Sequence, residues 1–415
     1  MRATFVQSLL TALLIASSLS AADWPQILGP NRNGVSGTEE LASKWATAPK
    51  QLWRKAVGSG WAGPAVVGQN VILFHRIGRN EVVSCFNAAS GKETWKTEFL
   101  ATYRGGINPD TGPRCVPIIH KNRIYVLGAG GDIHCLQLAG GKKVWTRNAY
   151  ADYRGREGYF GAGSTPIIVG DHLIANIGGR PGAGLVAFKL SNGKTAWKAT
   201  EEGASYSSPT TTKVDGKDVV VFVTRLNTVG IDPVSGKVFF RMRFGSPGPT
   251  VNAATPLIFG NHLFLSASYG IGCLTAKMST TAKPKIVWKN DQTMSSQYTT
   301  CVYRAGYLYG LHGRQDTSFD IAKLRCVDAK TGEVKWSVND FGVAHTILAK
   351  KNMLVLTDSG KLILVQPSPT AYKKLGSAQI SKGTTRALPA LSNGRLFVRV
   401  NGGGRGELIS LQVGK

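Results

Sequence analysis

Acidic residues are scarce in this 415-residue chain: 24 Asp and Glu stand against 50 Lys and Arg, a formal net charge of +26. The cations are scattered, which implies a solvated basic surface and attraction to anionic polymers. No basic groove interleaved with base-stacking aromatics accompanies them, so nucleic acid is not an expected partner. Long apolar runs are missing too. The apolar stretch at residues 5–16 is too short to cross a bilayer comfortably, so the chain is not expected to span a membrane. Amphipathic helical periodicity is absent, which argues against an α/β enzyme. There is no C-x-x-C, no cysteine cluster with zinc spacing, no G-x-S-x-G elbow and no phosphate-binding loop.

What is present begins with a secretory leader. Arg2 is its charged start, residues 5–16 its apolar core, and Ser20, Ala21 and Ala22 the small residues before a cleavage site. No cysteine follows closely enough for lipidation. The mature protein is therefore expected from residue 23, periplasmic or secreted. The six cysteines then sit in an oxidising compartment. Cys85, Cys135, Cys273 and Cys326 occupy one repeated strand position, which favours buried thiols over bridges.

A repeated phrase organises the rest. VDAKTGEVKW ends at Trp336, and related phrases end at Trp95, Trp145, Trp197, Phe240 and Trp288. Each reads as strand, tight glycine turn, strand. A period of roughly 40–50 residues built from short strands marks a β-propeller. The repeated tryptophans recur at one structural position, as residues packing between blades do.

Eight inner hairpins can be counted, starting near Gly63, Val116, Thr165, Ser208, Thr255, Cys301, His345 and Leu388. The eighth lacks a fourth strand, and the stretch 51–57 around Trp53 lacks a blade. Pairing them closes the ring and removes exposed sheet edges. The predicted architecture is all-β: an eight-bladed propeller of four-stranded antiparallel blades at 51–415, behind an N-terminal arm at 23–50 and the leader at 1–22. The two kinds of short turn must share one face. The longer loops lie on the other face, where a site is expected.

The phrase D-A-x-T-G-x-x-x-W at 328–336, repeated around a ring of eight, resembles the pyrroloquinoline-quinone (PQQ) repeat over essentially the whole mature chain. That resemblance implies the propeller fold. The same repeat builds quinoprotein alcohol dehydrogenases and the cofactor-free propeller subunit (BamB) of the outer-membrane β-barrel assembly machinery. The arm WPQILGPNRNG looks like the N-terminal signature of exported PQQ-like propellers. The dehydrogenases carry an adjacent cysteine pair above the quinone and bind calcium through carboxylates. This chain has no Cys-Cys pair, no matching acidic cluster and no C-x-x-C-H haem motif. No cofactor is therefore expected, and PQQ with calcium belongs only to the alternative reading, a quinoprotein dehydrogenase.

Residues three positions before the inner-strand prolines should ring the channel mouth. These are Trp61, Arg114, Gly163, Tyr206, Ala253 and Arg386, with Tyr298 before Cys301 and His345 in the seventh blade. Asn252 and Gln297 stand one residue earlier. The loops between second and third strands add His75, Arg76, Arg180, Arg225, Tyr269, His312, Arg314 and Arg405. Arginine forks and aromatics around one opening suit a carboxylate, sulfate or phosphate. The alternative is that the arginines splay outward and pair with Asp152, Glu157 or Asp316. The expected role is a monomeric binding or scaffold protein of the bacterial envelope, holding an anionic small molecule, a glycan or an envelope protein. A glycan-active lyase or hydrolase would need a carboxylate pair or a Tyr/His/Arg group at the mouth.

Overall fold

The protein is described here by a computed structural model covering residues 23–315, 321–402 and 405–414. The expected leader at 1–22 and Asp316 lie outside the described residues. The strands form eight four-stranded antiparallel sheets, the blades of a propeller. Seven blades are continuous in sequence, at 65–100, 118–148, 167–199, 210–243, 257–290, 302–338 and 344–379. The eighth is shared by the two ends of the propeller. The strand Gln51–Val57 pairs antiparallel with Arg405–Gln412, with Arg54 opposite Ile409. No helix among the described residues is long and apolar enough to cross a membrane.

Burial explains why the hydrophobic pattern is not simple alternation. Blades stack face to face, so their middle strands are covered on both sides. Asn70–Ile77 (NVILFHRI) and Asn80–Asn87 (NEVVSCFN) are buried almost throughout. Outermost strands such as Lys143–Asn148 (KVWTRN) remain partly in water. All six cysteines are free and buried.

The repeated turn and the repeated tryptophan form one device. In the sixth blade, Asp328 Oδ1 accepts from the backbone N–H groups of Lys330 and Thr331, each at 2.9 Å. Gly332 closes the turn at φ +77°, a conformation glycine adopts without steric cost. The indole of Trp288, from the fifth blade, lies on that glycine; a Cβ there would come 2.8 Å from the ring. Trp288 Nε1–H donates to Ala329 O at 3.1 Å. The contact repeats between neighbours: Trp145 donates to Leu190 O at 3.0 Å, and Trp197 to Pro233 O at 3.2 Å. Trp53 of the closing strand donates to Ala88 O of the first blade at 2.9 Å, so the seam uses the same lock.

The arm crosses the propeller on the turn side. Trp24 pairs with Val66 of the first blade, and Pro25 O accepts from Ile119 N of the second at 2.8 Å. Arg32 is buried and donates to the carbonyls of Pro166 in the third blade and Pro209 in the fourth. Val35 pairs with Leu348 of the seventh blade. The Glu39 carboxylate accepts from Gly394 N of the eighth at 2.8 Å. A segment touching innermost strands on opposite sides of the ring must lie across the channel. Its Ile27 lines the cavity that opens on the other face.

Candidate functional site

The channel mouth encloses a cavity of about 290 Å³. The short innermost strands aim the residues preceding them at the axis. Trp61, Arg114, Gly163, Tyr206, Ala253, Tyr298, His345 and Arg386 therefore all meet there, together with Tyr269 and Gln297.

Arg386 sits at the centre of this group. Its guanidinium carbon lies 4.4 Å from the Tyr298 ring centroid and 5.6 Å from that of Trp61. The guanidinium makes no hydrogen bond or ion pair with any described residue. Arg114 is held differently: it donates to Gly112 O at 2.8 Å and Asp110 O at 2.9 Å, and lies over Tyr103 at 5.7 Å. Burial lowers its pKa. The Asp110 carboxylate itself accepts from the backbone N–H groups of Gly60 and Gly112. Among the described residues no Asp or Glu lines the mouth. Asp358 acts on Arg386 electrostatically without an ion pair, and burial raises its carboxyl.

His345 bridges to this arginine through the backbone. Its Nε2–H donates to Arg386 O at 2.7 Å, which leaves Nδ1 buried with no partner. Burial, reinforced by the Arg386 charge, holds its pKa down at about 4, so the ring is neutral at physiological pH. Tyr298 OH donates to Gln315 Oε1 at 3.0 Å, and Gln297 Nε2 to Tyr269 OH at 3.0 Å. Tyr206 OH accepts from Phe160 N at 2.9 Å.

Four of the expected binding residues stand back from the cavity. Arg76 donates to the carbonyls of Gly78, Tyr103 and Thr111, bracing a loop. Asn252 is buried behind the rim and donates to Thr224 O and Phe244 O. His312 is buried, its Nδ1 accepting from Ser295 N at 3.0 Å. Arg314 is half-buried and stacks on Tyr269 at 4.2 Å, outside the cavity lining. In each case a nearby carbonyl, amide or ring satisfies the side chain before it reaches the axis. His75 likewise accepts from Gly58 N and contacts Ser84 Oγ at 3.0 Å, and Arg225 is tied to Ser246 O and Gly248 O. Arg405 lies away, between the seventh and eighth blades. Asp152 pairs with Arg147 at 2.6 Å rather than with a mouth arginine, and Glu157 makes no ion pair with a described residue.

Sequence reasoning missed Asn108, Phe160, Gln315 and Ile27, all in the lining. They come from loops and the arm, which carry no repeat register. Gln315, adjacent to Arg314 in a loop already assigned to this face, was the one with a usable signal.

The sequence profile described as "Outer membrane protein assembly factor BamB" matches residues 79–338. The chain belongs to this PQQ-like propeller family. No curated protein matches it in sequence. Among solved structures it resembles BamB from Moraxella catarrhalis at 16% identity and TM-score 0.62, covering 88% of this chain and 98% of that one. A europium-containing methanol dehydrogenase matches at 11% identity and TM-score 0.72, covering 93% and 91%. The quinohemoprotein alcohol dehydrogenase of Comamonas testosteroni matches at 14% and 0.68, covering 95% and 81%. At these identities the likeness is one of fold.

The described residues of the mouth do not form a calcium site of the kind the dehydrogenase reading requires. Calcium takes 6–8 oxygen ligands, with carboxylates prominent. The mouth supplies amides, hydroxyls and two guanidinium groups instead. No group of three or more His, Cys, Asp or Glu among the described residues is placed to hold a metal.

Proposed function

We propose that this PQQ-like propeller is a binding protein of the bacterial envelope whose channel mouth takes an anionic small molecule or an acidic sugar. One observation carries this reading. The Arg386 guanidinium is presented between two aromatic rings, without a hydrogen-bonding partner among the described residues, at an opening where no described residue is a carboxylate. A planar guanidinium so placed offers two parallel donors to a carboxylate or phosphate. The flanking rings exclude water and stiffen the fork, which reduces the entropy lost on binding. The amides of Asn108, Gln297 and Gln315 would orient the rest of the ligand, as the few polar groups of a small pocket do. The envelope location is supported by the leader read at 1–22 and by the description of the matched family.

The test is calorimetric: the purified mature protein is titrated with galacturonate, with neutral galactose, and with PQQ in the presence and absence of calcium. Saturable binding of the acid but not the neutral sugar, abolished in R386A, is the expected result. Equal response to both sugars, or none to either, would sink the reading. Saturable quinone binding that needs calcium would restore the dehydrogenase. The family description favours a second reading, an envelope protein docking on this face. Pull-down of one defined protein, lost in R386A, in the absence of any small-ligand binding would select it.

A further inference from the structure

A second cavity, of about 560 Å³, opens on the same face, lined by the second and third blades and the loops that follow each. It shares Gly163 and Tyr206 with the mouth, so the two adjoin along one wall. Gly163 is what allows this. A Cβ at that position would come 2.5 Å from Tyr206 Cδ1, so a larger residue would push the ring off the shared wall.

Arg154, Arg156 and Arg180 line the second cavity, all exposed. None makes a side-chain hydrogen bond or an ion pair with a described residue. The contrast with Arg76 and Arg225 is informative. Those two come from the same face, at or just past the ends of second strands, and each donates to backbone carbonyls. Glu157, the one carboxylate in this cavity, is not paired with any of the three. Three like charges at one opening repel unless a counter-charge enters.

Building on the anionic-ligand reading above, we infer that the second cavity is a subsite for the next charged unit of the same molecule. The ligand class is then a linear acidic oligosaccharide. One carboxylate sits at Arg386 and a further one beyond Tyr206, at Arg156 and Arg180. The aromatic lining suits the flat apolar faces of sugar rings, and the amide and hydroxyl lining suits their hydroxyl groups. Tethering a second charge to a bound first one makes its capture intramolecular, so affinity rises without strengthening either contact.

The probes are galacturonic acid and its oligomers of increasing length, titrated at low salt against wild type, R386A and the double variant R156A/R180A. Both substituted positions of the double variant are exposed, so folding is retained; thermal unfolding confirms it. Wild type is expected to bind the longer oligomers at least tenfold more tightly than the monomer. The double variant should lose that gain and keep its monomer affinity, while R386A weakens every length. A gain that survives in the double variant overturns the subsite and leaves the mouth reading standing. Absence of monomer and oligomer binding alike overturns the mouth reading itself. Equal affinity for a short poly-glutamate peptide, with the same dependence on Arg156 and Arg180, overturns the assignment to a sugar.

Discussion

The guanidinium of Arg386 lies 4.4 Å from the ring centre of Tyr298, and the backbone carbonyl of the same arginine accepts from His345 at 2.7 Å. One residue is thus held at both ends while its charged tip stays available. Lysine at this position keeps the charge and loses the planar fork. R386K should therefore weaken galacturonate binding about tenfold, and R386A by about tenfold to a hundredfold. These values correspond to the roughly 1.5–3 kcal/mol of a hydrogen bond to a charged group. Calorimetric titration of the three proteins at one salt concentration checks the order.

Gly193 stands at φ +70° under the indole of Trp145, and an added Cβ would come 2.6 Å from that ring. G193A must either move the tryptophan or abandon the turn. The expected loss is about 2–3 kcal/mol, combining positive-φ strain with overpacking. Gly170 also has positive φ, at +57°, but nothing lies near its Cβ position. G170A should cost about 1 kcal/mol. Thermal unfolding of the two variants side by side separates the steric part from the backbone part.

His134 stacks on Phe99 with ring centroids 3.6 Å apart. Burial, with a smaller push from Lys143, holds its pKa down at about 3. The unfolded chain takes up this proton near pH 6.5, whereas the folded one does not until about pH 3. The stability this neutral histidine supports is therefore complete above pH 6.5 and is lost as pH falls towards 3. At pH 5 the deficit is about 2 kcal/mol. Glu81, raised by burial to about 7, works in the opposite direction, so the absolute profile mixes signs. The difference between wild type and H134F isolates the histidine. That variant should gain about 2 kcal/mol relative to wild type on going from pH 7 to pH 5, read by urea denaturation at both values.

Arg32 is a buried cation whose partners are carbonyl oxygens. R32A would leave the Pro166 and Pro209 carbonyls without this donor in the interior. A loss of about 2–4 kcal/mol follows from unsatisfied buried acceptors. The arm should loosen first, because Arg32 ties it to two blades. Limited proteolysis cutting near residues 30–40 in R32A before any other site would show this.

The ring was legible because the turn phrase and the inner prolines each repeat. Counting back three residues from those prolines was enough to bring Trp61, Arg114, Tyr206 and Arg386 to one opening, since short inner strands leave little freedom in register. The same logic failed for Asn252, one residue further back, where the side chain points into the blade stack and meets three carbonyls. Arg76 and His312 were misplaced for a related reason. Ends of second strands carry residues of any direction, and only the local supply of acceptors decides whether a side chain reaches the axis. Of the charged residues of the second cavity, only Arg180 and Glu157 were placed on this face in advance; Arg154 and Arg156 come from an irregular segment whose position depends on the short helix Ala149–Tyr153 and the loop after it. The arm was recognised as irregular and ordered, yet nothing in WPQILGPNRNG says that its arginine would end among the carbonyls of distant blades.

The arm has a topological consequence. Because it lies across the channel on the turn side and contributes Ile27 to the cavity lining, the propeller works as a cup and not as a conduit. On the proposed reading, a ligand that enters between Trp61 and Arg386 must leave by the same rim. Any macromolecule resting on that rim would control both filling and emptying at once.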